Sequence, residues 1–269
     1  MRKALLTALM ILGLTASPSR AITIVFGTDA TWPPMEFVDS QNGIGGFAID
    51  YMKAAGKEAG FKAEFEFADW SGLFTGLAQG QYDAVCSSVS VTAQRTKNMD
   101  FSQPYFSVSQ ALVVRADSPA KSLTDLRGKN VGVLSDTTGQ AAAAKTPGVV
   151  LRPYGYSGLS LEDILTGAPP QAISVLLRQQ LIWLLEDLAS GRLDGVVCDD
   201  AVAVLLVRQT PRFHGKLKIA GSVEALGPES YAVAVRKGDK ATLALIDEGI
   251  RAVKAKGIDK DLARKWLVR

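Results

Sequence analysis

Short β-rich runs alternate with helical patterns twice over along this chain, and that double alternation restricts it to layered α/β architecture with two sheets. The first series reads as a strand over Ile22–Gly27, a turn-rich stretch from Thr31 to Gly46, and an amphipathic helix over Phe47–Ala59 with Phe47, Ile49, Met52 and Ala55 on its apolar face. A half-buried strand over Ala63–Phe67, a helix over Leu73–Gln79 stopped by Gly80, and a strand over Ala84–Cys86 complete it. The pattern then restarts with strands at Gln110–Arg115 and Val131–Leu134, a helix at Gln140–Lys145, a strand at Val149–Pro153, a helix at Leu176–Ser190 and a strand at Gly195–Cys198. A strand at Tyr231–Val235 and helices at Ala241–Lys256 and Lys260–Val268 close the chain. Two series imply two lobes with a cleft between them. Ligands of open α/β sheets bind outside the carboxyl ends of the strands, which directs attention to the segments after Gly27, Phe67, Cys86, Leu134 and Cys198.

The first 21 residues stand apart. Arg2 and Lys3 precede an apolar run from Ala4 to Leu14, and Ser19-Arg20-Ala21 offers small residues for cleavage, the layout of a secretory signal peptide. The run is shorter than the roughly 20 residues a membrane span needs. No cysteine follows it, which argues against a lipid anchor and for a soluble periplasmic protein. Loss of Arg2, Lys3 and Arg20 lowers the 30 basic residues to 27, level with the 27 acidic ones. A formally neutral mature chain gives no support for a nucleic-acid partner. Two cysteines, Cys86 and Cys198, would enter an oxidising compartment. Each ends an apolar run, and the sequence leaves open whether they pair or remain separate buried thiols.

The polar and aromatic residues cluster where strands end. Thr28-Asp29-Ala30-Thr31-Trp32-Pro33-Pro34 follows the first strand, Asp69-Trp70 the second, and Ser87-Ser88-Val89-Ser90-Val91-Thr92-Ala93-Gln94-Arg95 the third. Further on come Tyr82-Asp83-Ala84, Asp100-Phe101-Ser102-Gln103-Pro104-Tyr105, the Leu126-Arg127-Gly128-Lys129 to Gly132-Val133 stretch, and Gly191-Arg192-Leu193-Asp194. In order and spacing these motifs resemble the amino-acid-binding periplasmic solute-binding proteins of family 3, the group of the histidine, lysine/arginine/ornithine and glutamine binding proteins. The resemblance covers nearly the whole mature chain. It implies a two-lobed, type II periplasmic binding fold, each lobe a mixed β-sheet flanked by helices, with the ligand between them. It also implies a monomer that delivers an amino acid to the permease of an ABC importer, without a cofactor, a metal or catalysis. Lobe 1 is expected at 22–111 and 231–269, and lobe 2 at 112–230.

A free amino acid presents one carboxylate and one ammonium, so its site needs a guanidinium, a carboxylate and hydroxyl or backbone donors. Arg95 offers a planar fork suited to a carboxylate and matches the family position that grips it. Ser87, Ser88 and Ser90 match a segment used toward both ends of the α-amino-acid moiety. Thr137 and Thr138 match the opposite lobe's carboxylate-binding turn, where free N–H donors favour an anion; an ordinary N-cap reads the same way. Asp199 matches the acceptor for the ammonium, with Asp200 beside it as the alternative. Asp29, Trp32 and Trp70 match the positions around the ligand side chain. A carboxylate between aromatic faces suits a cation, although the same Asp could accept from glutamine.

The chain departs from the family between 158 and 181, where Gly167-Ala168-Pro169-Pro170 lies in a stretch the usual member lacks. An extra helix or lid there would alter access to the cleft or admit a larger ligand. Two other functions remain open. A cyclohexadienyl (arogenate or prephenate) dehydratase on the same fold would need an acid such as Asp29 or Glu36, and a sensor component would present its ligand to a separate receptor. The sole histidine, His214, sits in a loop away from these motifs, and no Cys/His cluster has metal-ligand spacing.

Overall fold

The computed structural model describes residues 22–39, 41, 43–155, 170–223, 227 and 229–267. The expected signal peptide and residues 158–169 of the expected insertion lie outside them. The chain opens with β1 (Ile22–Thr28) and a small meander of β2 (Thr31–Trp32), β3 (Glu36–Val38) and β4 (Ile44–Gly45). Then come α1 (Phe47–Ala59), β5 (Phe61–Phe67), α2 (Trp70–Gln79), β6 (Ala84–Val85), β7 (Met99–Phe101) and β8 (Phe106–Val108). The second series is β9 (Gln110–Arg115), β10 (Asn130–Leu134), α3 (Thr138–Ala144), β11 (Val150–Tyr154), α4 (Pro170–Ala189), β12 (Gly195–Asp199), α5 (Asp200–Val204) and β13 (Leu217–Ser222). The chain returns through β14 (Glu229–Tyr231) and β15 (Ala234–Arg236) to α6 (Lys240–Ala255) and α7 (Ile258–Trp266).

Two five-stranded sheets share one plan, with orders β5-β1-β6-β15-β7 and β11-β10-β12-β9-β13. In each, three parallel strands are followed by one that runs against them, β15 or β9, and a last that pairs antiparallel with that one. Both sheets therefore point the carboxyl ends of their parallel strands at the cleft, where loop residues can meet from two sides. The chain crosses between sheets twice, and the crossings lie together because β14 pairs antiparallel with β8, Glu229 opposite Val108 and Tyr231 opposite Phe106. Gln110 and Ala111 already pair with Asp199 and Cys198 in the second sheet, so a division at residue 111 falls inside β9. The first crossing is complete at Ser109.

Each lobe has its own core. Phe26, Phe47, Tyr51, Met52, Ile246 and Ile250 are buried together in the first. Leu184, Leu185 and Leu188 of α4 pack with Val196 and Phe213 in the second, while α3 buries Ala142 and Ala143 on the other face. Trp32 is half-buried against both the first core and the α4 core, and α4 lies against β2 and β3. Cys86 and Cys198 are buried free thiols, one in each core.

Several boundaries moved for local reasons. Helix α2 begins at Trp70, not Leu73, because Asp69 caps it, its side chain accepting from the Gly72 N–H. Gly80 ends it at φ 75°, a left-handed conformation glycine takes without a Cβ clash. The strand expected at Tyr231–Val235 is split: Tyr231 ends the crossing strand and Ala234 starts β15 in the main sheet. Helix α4 starts at Pro170, well before the expected Leu176.

Candidate functional site

A cavity of about 360 Å³ lies at the carboxyl ends of the two sheets, and all ten residues singled out from sequence line it: Asp29, Trp32, Trp70, Ser87, Ser88, Ser90, Arg95, Thr137, Thr138 and Asp199. The five expected post-strand segments all contribute, and a sixth, Tyr154-Gly155 after β11, joins them. Gln180 and Leu181 of α4 also reach the wall, so the end of the expected insertion borders the cavity. Thr31 and Asp69, within the post-strand motifs, line it as well, as do Gln110 and Asp136, which were not anticipated.

The wall from the first sheet is rigidly built. Asp29 N–H donates to Ser87 Oγ at 3.0 Å, and that hydroxyl donates to Asp29 Oδ1 at 3.3 Å. Thr31 donates its N–H to Asp29 Oδ1 at 3.1 Å and its hydroxyl to Oδ2 at 3.0 Å. Burial nevertheless outweighs these bonds and raises the Asp29 pKa above the usual carboxylate value. The serine segment is pinned to the crossing strand: Ser90 bridges Tyr231, Val91 N–H donates to Ser230 O at 3.0 Å, and Ala232 N–H to Val89 O at 3.1 Å. Ala30, Ser88 and Asp136 all have positive φ, at 48°, 47° and 60°. Such backbone costs about 1–3 kcal/mol per residue and is kept where the surroundings over-determine it. All three lie at or beside this cavity.

Arg95 opens a short 3₁₀ turn after the serine segment. Its Nη1 donates to Ser90 O at 2.9 Å and its Nη2 to Asp136 O at 3.4 Å, reaching across the cleft. The guanidinium carbon stands 5.4 Å from the ring centroids of both Trp70 and Phe74. Trp70 thus packs on the cation of the site itself, a use the sequence did not show. Burial lowers the Arg95 pKa, opposed by Glu229 and Asp199.

On the opposite wall, Thr137 is the N-cap of α3: its hydroxyl accepts from Gln140 N–H at 3.2 Å and donates to Leu134 O at 2.8 Å. The capping half of the two readings of Thr137 is present. Thr138 is buried, its hydroxyl 3.3 Å from Gln110 Nε2. A Cβ at Gly139 would come within 2.9 Å of Gln110 Oε1 and 3.3 Å of Val197 O, so the Gln110 amide would have to shift to admit a side chain.

Asp199 is the hub between the lobes. Trp32 Nε1–H donates to its Oδ2 at 2.9 Å, the Tyr231 hydroxyl donates to the same oxygen, and Gln110 Nε2 donates to Oδ1 at 2.5 Å. Gln110 Nε2 also lies 3.0 Å from Glu229 Oε1. Three donors favour the carboxylate, but burial dominates and the Asp199 pKa stands at about 6. Trp32, expected beside the ligand side chain, here bonds Asp199 across the cleft. Asp200 instead begins α5 and accepts from Ala201 N–H at 2.7 Å, outside the cavity lining. His214 is exposed, with Nδ1 3.4 Å from Arg208 O, and is also absent from the lining. Among the described residues no group of three His, Cys, Asp or Glu side chains is placed to hold a metal, and no helix is long and apolar enough to cross a membrane.

Gln110 had a legible signal, a polar residue heading an otherwise apolar strand. Asp136 had none, because its place follows from a backbone turn.

The probable histidine-binding protein of Neisseria gonorrhoeae is 31% identical over 255 residues, 94% of this chain and 85% of its own. The ABC transporter arginine-binding protein 1 of Escherichia coli (strain K12) is 28% identical over 264 residues, 98% of each chain. Among solved structures, an ancestral arginine-binding protein bound to glutamine is 34% identical, with a TM-score of 0.75 over 93% of this chain and 99% of that one. The two-sheet plan with its paired crossings is the type II periplasmic binding fold of such neighbours. The model of the bacterial extracellular solute-binding proteins, family 3, matches residues 24–269, and the chain belongs to that family.

Proposed function

We propose that the protein captures a free amino acid with a cationic side chain in the periplasm and delivers it to an ABC importer. The carrying observation is the charge balance of the cavity wall, where, among the described residues, Asp29, Asp69, Asp136 and Asp199 face a single cation, Arg95. An amino-acid zwitterion brings a carboxylate for Arg95 and an ammonium for Asp199. A second positive charge on its side chain offsets more of the acidic wall than a neutral side chain can. Relatives named for histidine and arginine point the same way. In this reading Ser87, Ser88, Ser90, Thr137 and Thr138 supply hydroxyl and backbone groups to the α-amino-acid end, and Asp29 faces the side chain.

A dehydratase would need a cavity acid with a proton to give. Of the two acids that such an enzyme would use, Asp29 lines the cavity but accepts from the Thr31 N–H, the Thr31 hydroxyl and the Ser87 hydroxyl, and Glu36 does not line it.

Thermal unfolding against the twenty amino acids plus ornithine and citrulline tests the reading. At about 1,000 times its dissociation constant a ligand adds roughly 4 kcal/mol to stability, so arginine, lysine, ornithine or histidine should raise the Tm clearly. A panel with no shift sinks the proposal.

Asp29→Asn is expected to weaken cationic amino acids by at least tenfold more than neutral ones, read by calorimetric titration. The Asn oxygen can keep the Thr31 N–H, and the Thr31 hydroxyl can turn to accept from the new NH₂, so the loop survives and the charge alone is lost. Equal losses for glutamine and arginine would show that the charge is not read.

A further inference from the structure

Glu36 is a fully buried acid directly behind the cavity wall. It pairs with Trp32 across the β2–β3 meander and has no exposure at all. Its Oε2 lies 2.9 Å from the Ser88 hydroxyl, and its Oε1 has no hydrogen-bond partner among the described residues. Ser88 itself lines the cavity and is held in the left-handed region by its surroundings. Among the described residues, the charged groups acting on Glu36 are the carboxylates of Asp29 and Asp199. Cys86, Tyr105 and Tyr231 also face it, and burial pushes all three up, so they remain neutral.

An ionised carboxylate with, among the described residues, one hydrogen bond, two acidic neighbours and no cation would be very costly in such a place. A neutral acid has two ways to place its proton. On Oε1 the proton would be a buried donor without an acceptor. On Oε2 it would be donated to Ser88 Oγ, leaving Oε1 as an unpartnered carbonyl oxygen, which proteins tolerate more readily than an orphan donor.

We propose that Glu36 is kept as a neutral acid that donates to Ser88 Oγ, which leaves the Ser88 hydroxyl its own proton to give to an acceptor oxygen of the bound solute. With Glu36 ionised, Ser88 would spend that proton on Oε2 and offer the cavity lone pairs only. Glu36 is thus a positioning residue for the carboxylate end of the ligand, complementing Arg95. Burial together with the Asp29 and Asp199 charges raises its pKa well above the usual value, consistent with this state. The ligand side of the inference rests on the amino-acid reading above, while the protonation state does not.

The first arm is infrared difference spectroscopy of the ligand-free protein at pH 7, wild type against Glu36→Gln, in H₂O and D₂O. The expected result is the C=O stretch of a protonated carboxyl, sensitive to D₂O, present in wild type and absent in the variant. The same band should shift in Ser88→Ala, which removes its hydrogen-bond partner and covers the case in which Glu36→Gln fails to fold. A spectrum in which Ser88→Ala moves no protonated-carboxyl band, or in which Glu36→Gln removes none, overturns the inference. The second arm is titration with L-arginine at pH 7. Glu36→Gln, whose NH₂ donates to Ser88 Oγ as the neutral acid does, should keep the wild-type affinity, and Glu36→Ala should weaken it by about tenfold; a loss as large in Glu36→Gln as in Glu36→Ala overturns the positioning role. If the band is present and neither arginine nor any other amino acid binds, the proposed function has failed and the protonated Glu36 stands.

Discussion

Arg95→Ala is expected to weaken binding of the captured amino acid by roughly 2–5 kcal/mol, about 30-fold to several-thousand-fold. Truncating one member of a buried charge pair leaves the other desolvated without a partner, and in the proposed function that other member is the ligand's α-carboxylate. The guanidinium is already fixed before a ligand arrives. Two of its five N–H groups hold Ser90 O and Asp136 O, and its faces lie against Trp70 and Phe74. Little entropy is then lost when the remaining donors meet the carboxylate. Arg95→Lys should recover only part of the loss, because a point charge on a flexible stem cannot hold Ser90 O, Asp136 O and a carboxylate at once. Calorimetric titration of the three proteins with the same amino acid is the check. Affinity near wild type in Arg95→Ala would remove Arg95 from the site.

The same residues show what sequence could and could not reveal. Alternating runs such as Phe61–Phe67 and the amphipathic Phe47–Ala59 carry their own periodicity, so the layers and the post-strand loops were readable. Those loops line the cavity, and the family resemblance singled out Asp29, Ser87, Ser88, Ser90, Arg95 and Asp199 within them. The meander of two- and three-residue strands was not readable, since Thr31–Trp32 and Glu36–Val38 are strands by pairing rather than by pattern. The crossing strands β8 and β14 were missed for the same reason, as was β13, whose Leu-Lys-Ile-Ala-Gly-Ser sequence shows little alternation and carries a bulge between Ile219 and Gly221. Pro170 opening α4 was a usable signal, because proline suits the first turn of a helix. Glu36 shows the opposite limit. Its residue type was noticed, but its meaning lies in the Ser88 hydroxyl that the fold places on it.

Asp199 carries the other large effect, and its sign differs between the empty and the filled protein. Its pKa of about 6 is raised by burial above the ordinary aspartate value of 3.8. A raised carboxyl binds its proton more tightly when folded, so its contribution to stability is fully present below about 3.8 and is lost as pH rises through about 6. The ligand-free protein should therefore gain stability from this group as pH falls from 7 to 4, on the order of 3 kcal/mol in full. Asp29 and Glu36, also raised, act in the same direction, so the Asp199 share is read as the difference from Asp199→Asn. Binding runs the other way. The ligand's ammonium needs the carboxylate, so affinity should fall by up to about tenfold per unit as pH drops below about 6, while Asp199→Asn binds more weakly, by roughly 2–5 kcal/mol at pH 7, and shows no such slope. Asn also turns an NH₂ toward the Trp32 N–H, the Tyr231 hydroxyl or Gln110, which adds to the loss. Thermal unfolding and titration across pH 4 to 8, on both proteins, measure the two slopes. Wild-type affinity that stays level through pH 6 would mean that the ammonium is held by another group.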